Sequence, residues 1–159
     1  MLITGLFHVA IKTNNLDATT RFYTDVLGLK LAHRPDFGFP GAWIAVPTPV
    51  GEAIIHVYAG GPAMGADGKT PVGSAAIDHI SLTAIGWDDC IAKLKAHGYD
   101  WREAVVPGTS LWQIFVYDPS GVLLEITFDG RAENRSAPQI AEERRYKPGV
   151  SFFREKAAA

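Results

Sequence analysis

The sequence predicts an α+β protein made of two βαβββ units. Three features carry that reading: two helical patterns each closed by a glycine, strand-like runs in the same order around both, and a Gly- and Pro-rich stretch between them. The intervals agree, since His8 to Gly28 spans 20 residues and His79 to Gly98 spans 19. The chain is an internal repeat.

Strand-like runs fall at about residues 5–12 (GLFHVAIK), 29–34, 42–47 (AWIAVP) and 52–58 (EAIIHVY). Between the first two, residues 16–27 read as a helix, with Asn14 or Asn15 placed to cap it, Phe22, Val26 and Leu27 on one side, and Gly28 to end it. The order returns as IDHISLTA, a helix from about Trp87 to His97 closed by Gly98, a strand near 99–106, then SLWQIFVYD and VLLEITF. This divides a single 1–159 domain into a first module 5–59, a linker 60–76, a second module 77–129 and a tail 130–159. The tail is charged and poor in aliphatics until Val150 to Phe153; it is expected to wrap a partner subunit, cover a cleft or stay loosely ordered.

Bulk properties narrow the function classes. With 47% hydrophobic and 20% charged residues the chain suits one compact core or two small halves. Fifteen basic against 17 acidic residues, a net charge of −2 and no dense Lys/Arg run argue against nucleic acid and anionic membrane as partners. The start, MLITGLFHVA, has no basic segment followed by a long apolar one, and no apolar run reaches the roughly 18 residues of a spanning helix. A soluble, cytoplasmic protein is expected. The one cysteine, Cys90, excludes an internal disulfide and sits in the second helical pattern, where a buried inert thiol is the ordinary reading.

Strand phase identifies the residues of interest. Phe7, Val9 and Ile11 oppose Leu6, His8 and Ala10; Ile80 and Leu82 oppose Ile77, His79, Ser81 and Thr83. Ile55 and Val57 oppose Ile54, His56 and Tyr58, and Leu124, Ile126 and Phe128 oppose Leu123, Glu125 and Thr127. Each of these strands has one apolar side and one mixed side with a single ionisable residue near its middle. A lone histidine in such a strand is more often a hydrogen-bonded filler than a ligand. Glu125, set among Leu123, Leu124 and Ile126, is different, because a buried carboxylate needs a cation or donors. If both halves turn their mixed faces to a shared cleft, His8, His56, His79 and Glu125 converge, and imidazoles with a carboxylate form a donor set for a first-row metal.

The segments HVAIKTNNLDATTRFYTDVLGLKL, IDHISLTAIGWDDCIAKLKAHGYDW and YDPSGVLLEITF resemble the vicinal oxygen chelate superfamily, which includes glyoxalase I, methylmalonyl-CoA epimerase, fosfomycin and bleomycin resistance proteins and extradiol dioxygenases. The resemblance covers residues 5–129. It implies two βαβββ modules forming an incomplete barrel around a divalent metal in a cleft, with His8, His79 and Glu125 as metal ligands.

The resemblance leaves the reaction open. Glyoxalase I-like enzymes place a glutamate where this chain has His56, whereas extradiol dioxygenases use a nearby histidine as acid–base catalyst, a role open to His56 as an alternative to metal ligation. Those dioxygenases carry a tyrosine four residues before the proline of the PSG turn; here the position is Phe115, with Tyr58 and Tyr117 as candidate substitutes. The leading expectation is an extradiol-type, ring-cleaving dioxygenase using Fe(II) and chelating vicinal oxygens of a small substrate, with His56, Glu125 and Tyr58 as catalytic residues. The alternative is a glyoxalase I-like lyase or isomerase using Zn(II), Ni(II) or Mn(II) and an enediolate. A third class is a bleomycin-resistance-type protein that sequesters its ligand without catalysis. Phe39, Trp43, Trp112, Phe115 and Tyr117 are the expected substrate wall, with RPDFGFPGAW (34–43) equally readable as core. His33 and His97 read as structural or solvated. Exposed sheet edges favour a homodimer.

Overall fold

The computed structural model describes residues 8–48, 51–75 and 77–154, so residues 5–7 of the first expected strand and residues 155–159 of the tail lie outside the described residues. The chain divides between Val72 and Gly73 into two compact units.

The first unit contains β1 (His8–Lys12), α1 (Leu16–Arg21), β2 (Lys30–Ala32), β3 (Gly41–Thr48) and β4 (Gly51–Tyr58). Its sheet runs β1-β4-β3-β2, with β1 parallel to β4 and the other neighbours antiparallel. The second unit repeats this with β5 (Ile80–Ala84), α2 (Trp87–Ala96), β6 (Trp101–Val105), β7 (Leu111–Tyr117) and β8 (Leu123–Asp129), in the order β5-β8-β7-β6 and again with one parallel pair. Two four-stranded mixed sheets with few helices make an α+β fold, as the repeated pattern predicts. No helix among the described residues is long and apolar enough to cross a membrane.

Local chemistry explains the elements. The Asn15 side chain accepts from Ala18 N at 3.0 Å and caps α1. The helix expected over 16–27 is not α-helical throughout. From Phe22 to Val26 it widens into a π turn, and Leu27 N bonds to Phe22 O at 3.2 Å. The Thr24 hydroxyl donates to the Thr20 carbonyl at 3.2 Å and competes with the regular ladder there. At α2 no cap comes from the preceding residue. Instead Glu133, from the tail, accepts from Gly86 N and Trp87 N at 2.8 and 2.9 Å. Its carboxylate satisfies two orphan donors at the positive end of the helix.

The helix-covered faces are the cores. In the first unit Phe22, Tyr23 and Val26 are buried together with Ile44, Ile55 and Val57. In the second, Trp87 of α2 meets Trp112 and Phe128 edge-on, with ring centroids 5.8 and 5.4 Å away. Trp112 was expected in the substrate wall, but it pairs in register with Phe128 and lies on the helix side of the sheet, opposite to Glu125. Its strand has aromatic rings on both faces, and the register places Trp112 on the one without Gln113 and Tyr117.

The β7–β8 hairpin sets that register through its turn. Asp118 Oδ1 accepts from Ser120 N at 2.8 Å and Val122 N at 2.9 Å, and Gly121 takes φ 78°, a left-handed conformation suited to glycine. The consequence is that Glu125 stands opposite Phe115 on β7 and opposite Ser81 on β5.

The packing around Trp112 yields a prediction. A Cβ on Gly130 would lie 2.5 Å from Trp112 Cε2 and 2.6 Å from Cζ2, and Trp112 is held by Trp87 in turn. Gly130→Ala is expected to lower stability by about 1–3 kcal/mol through overpacking, read as a drop of several degrees in Tm.

Candidate functional site

Each unit gathers its ionisable residues on the mixed face at matching positions. In the first, His56 stands opposite Ala10, two residues along from His8. In the second, Glu125 stands opposite Ser81, two residues along from His79. His79 itself precedes β5 instead of lying within it, because a turn closed by Ile77 N to Ser74 O, at 3.1 Å, ends just before it.

On the first unit, His56 is flanked by His8 from β1 and Trp43 from β3. The ring centroids lie 4.2 and 4.5 Å away, with interplanar angles of 15° and 5°. Tyr58 follows along the same face, 6.5 Å from His56, and Phe39 meets Tyr58 edge-on at 5.3 Å. Arg34 lies over both Phe37 and Phe39, at 4.9 and 4.7 Å from the ring centroids, and donates to Phe39 O at 3.1 Å. Burial, then the neighbouring His8 and Arg34, holds the His56 imidazole below its ordinary value. His56 is therefore neutral at pH 7, with a lone pair free of a proton.

On the second unit, His79 Nδ1 lies 2.7 Å from Asp78 Oδ1, and His79 Nε2 lies 3.5 Å from Glu125 Oε2. The Asp78 contact engages Nδ1 and leaves Nε2 turned towards the Glu125 carboxylate. Ser81 and Thr127 donate to Glu125 Oε1 at 2.7 and 2.8 Å. Glu125 is thus held by two hydroxyls on one oxygen, while the other faces His79 Nε2. A metal ion bonded at about 2.1 Å to both atoms spans a ligand edge of about 3.0–3.4 Å, so the pair fits a first-row cation closely. The carboxylate behind His79 is the usual support of a metal-binding imidazole. Among the described residues no group of three or more His, Cys, Asp and Glu side chains is gathered around one point.

The expected pocket residues divide. Trp43 and Phe39 are half-buried on the aromatic face of the first unit, beside His56 and Tyr58. Trp112 is on the opposite side of its sheet, as described above. Phe115 and Tyr117 are on the mixed face but not open to it. Phe115 is 2% exposed and covered by Tyr146, with ring centroids 3.6 Å apart and planes within 8°. Tyr117 lies against Phe152 and Phe153, at 4.8 and 5.3 Å.

The covering residues belong to the tail, which is anchored on the second unit. Arg144 stacks on Trp101 at 3.8 Å and bonds Asp100 Oδ1 at 2.6 Å, Arg145 bridges to Glu103, and Tyr146 N donates to Glu103 O at 2.9 Å. The Tyr146 phenol is pushed up by burial and then by Asp78, Tyr117 and Glu125, so it stays a protonated donor. Sequence reasoning missed Asp78, Ser81, Thr127, Arg34 and Tyr146 as site residues. Ser81 and Thr127 share the phase of His79 and Glu125 and were within reach of it, whereas Tyr146 carries no periodic signal. Cys90 is no nucleophile, because burial and Asp89, against a smaller opposing effect of Lys93, push its thiol up to about 12.

Two measurements check these electrostatics. Cys90 should resist iodoacetamide at pH 8 in the native protein and react on unfolding. His56 should titrate below 6.5 by NMR and move upward in Arg34→Gln. Because folding disfavours its charged form, its contribution to stability is complete above pH 6.5 and is lost as pH falls through 6.5 towards the lower folded value.

Comparison with known proteins agrees with the fold. Residues 5–126 match the family model of the Glyoxalase/Bleomycin resistance protein/Dioxygenase superfamily. The chain is 30% identical over 128 residues to Glyoxylase I 4 of Arabidopsis thaliana, covering 78% of this chain and 70% of that protein. It is 29% identical over 126 residues to lactoylglutathione lyase of Escherichia coli O157:H7, covering 76% and 90%. Among solved structures it superimposes on the fosfomycin resistance protein FosX of Listeria monocytogenes, with TM-score 0.60, 18% identity and coverage of 80% and 94%. Lactoylglutathione lyase of Agrobacterium tumefaciens gives TM-score 0.59, 18% identity and coverage of 81% and 96%.

Proposed function

Because the chain belongs to the glyoxalase, bleomycin resistance protein and dioxygenase superfamily, we propose that it is a divalent-metal-dependent lyase of the glyoxalase I type. Its substrate is a small molecule with two adjacent oxygens. The metal ligands are His8, His79 and Glu125, and His56 is the acid–base group. The observation that carries this reading is the His79–Glu125 pair, whose Nε2 and Oε2 atoms face each other 3.5 Å apart, with Asp78 on the other imidazole nitrogen. The curated relatives named as lactoylglutathione lyases favour the lyase over the ring-cleaving dioxygenase expected from the sequence.

A bound divalent metal supplies Lewis acidity that makes the C–H bond beside the substrate oxygens easier to ionise. The chain's own residues do the remainder. His56, neutral at pH 7, takes a proton from that carbon and returns it to the neighbouring one. The flanking rings of Trp43 and His8 fix the plane of its imidazole, and Trp43 and Phe39 offer apolar surface that keeps water off the proton in transit. Ser81 and Thr127 hold Glu125 so that Oε2 stays turned towards His79. A homodimer is the assembly we propose, since β1 and β2 lie at the edges of the first sheet.

One feature keeps the dioxygenase as a second reading: the fourth strand presents an imidazole, His56, where the resemblance to glyoxalase I leads to a glutamate. Against it, the position that calls for a phenol is Phe115, buried under Tyr146.

The test is metal content of the protein purified without added metal, followed by assays of the Zn(II)-, Ni(II)-, Mn(II)- and Fe(II)-loaded forms. Formation of lactoylglutathione from glutathione and methylglyoxal is measured beside O₂ uptake on a catechol panel. Lyase activity without O₂ uptake is expected, with His79→Ala and Glu125→Gln losing about 100-fold or more. O₂ uptake on a catechol without lyase activity moves the assignment to the dioxygenase. Ligand binding that needs no metal and survives His79→Ala moves it to a sequestering protein.

A further inference from the structure

The tail does more than pack on the second unit. After Arg144 has locked onto Trp101 and Asp100, Arg145 and Tyr146 join the edge of β6 through Glu103, and Tyr146 is set on the mixed face. There its ring lies flat on Phe115. Phe115 has two further neighbours of consequence: it pairs in register with Glu125, and its ring meets the His79 imidazole at 6.0 Å and 89°. The stack is therefore continuous from Tyr146 through Phe115 to His79.

We propose that Tyr146 is a positioning residue: by clamping Phe115 against the sheet it holds the His79 ring in the orientation that presents Nε2 to Glu125. This rests on the reading of His79 and Glu125 as metal ligands and assigns the C-terminal segment a part in their function. The physical reason is that the contacts holding His79 are few. Asp78 fixes one nitrogen but is itself exposed, so it sets the tautomer without fixing the tilt of the ring. The edge-to-face contact with Phe115 opposes that tilt, but only while Phe115 cannot swing outward. Tyr146 closes the outward path, with a ring 3.6 Å above it. Further along the tail, Phe152 lies under Arg102 at 4.5 Å and against Tyr117, which keeps the strap down beyond Tyr146. The stack needs the ring of Tyr146 and not its hydroxyl, so Phe should replace Tyr and Ala should not.

The experiment has two arms on the full chain. In the metal-free protein, NOEs and ring-current shifts between the His79 and Phe115 rings report the tilt of the imidazole; in the second arm, Co(II) affinity and the Co(II) ligand-field spectrum report the donor pair. Wild type and Tyr146→Phe are expected to share one set of His79–Phe115 NOEs and ring-current shifts. Tyr146→Ala should lose them and bind Co(II) about 10- to 100-fold more weakly with an altered spectrum. A folded Tyr146→Ala whose His79–Phe115 NOEs and shifts match wild type overturns the proposal, whatever its Tm. A protein that shows the orientation effect but, as wild type, binds no Co(II) leaves the positioning role standing and removes the metal reading, so the two failures are distinct. If Tyr146→Ala does not fold, Tyr146→Leu replaces it: unchanged His79–Phe115 NOEs in folded Tyr146→Leu overturn the proposal in the same way.

Discussion

The placement of one carboxylate on an inner strand is the constraint on which the rest of this structure depends. Glu125 is 9% exposed on β8, and a carboxylate taken out of water needs donors or a cation. Ser81 and Thr127 donate to one oxygen. The other faces His79 Nε2 at 3.5 Å, with Asp78 on the opposite imidazole nitrogen. That separation is close to the edge between two ligands of a first-row metal ion. The neighbouring elements fix that arrangement: the Asp118 turn sets the register of β8, Trp87 of α2 packs on Phe128 across the opposite face, and Glu133 caps α2 from the tail.

The duplicated topology explains why the first unit carries a related but different pair. In both units the histidine at or just before the start of the first strand and the residue on the fourth strand are offset by the same two positions, so one pattern of pairing serves both. What differs is the chemistry at the fourth strand and its neighbour. His56 is flanked by aromatic and imidazole rings and is kept neutral, whereas Glu125 is bound by hydroxyls and kept in place. The third strand supplies the flanking ring in each case. Trp43 stands opposite His56 and Phe115 opposite Glu125; Phe37 lies 6.0 Å from Trp43, and Tyr146 stacks on Phe115 at 3.6 Å.

Much of this was legible because two periodicities coincide. A period of two along β4 and β8 put His56 and Glu125 on the mixed faces, and the 20- and 19-residue intervals to the closing glycines aligned the two halves. The legible part ended where alternation carried no contrast. In β7 both faces carry large aromatic rings, so Trp112 could be read onto the wrong side although Gln113 marks the other face as the mixed one, where Phe115 stands beside Glu125. The start of β5 was misplaced because His79 has strand-like neighbours but follows a turn, and the π turn after α1 hinges on one threonine hydroxyl. Tyr146 was invisible for a different reason. Its contacts with Phe115 and Glu103 join segments 31 and 43 residues apart, and no local pattern encodes such a pairing.

The central claim is that the mixed faces exist to present imidazole and carboxylate donors to a metal ion. X-ray absorption spectroscopy of the Zn(II)-loaded protein tests it most directly, because imidazole rings give a recognisable outer-shell scattering pattern. The account predicts an all-nitrogen and oxygen first shell with at least two imidazoles, reduced by one in His79→Ala. A spectrum with no imidazole scattering, or one unchanged by His79→Ala, would contradict it.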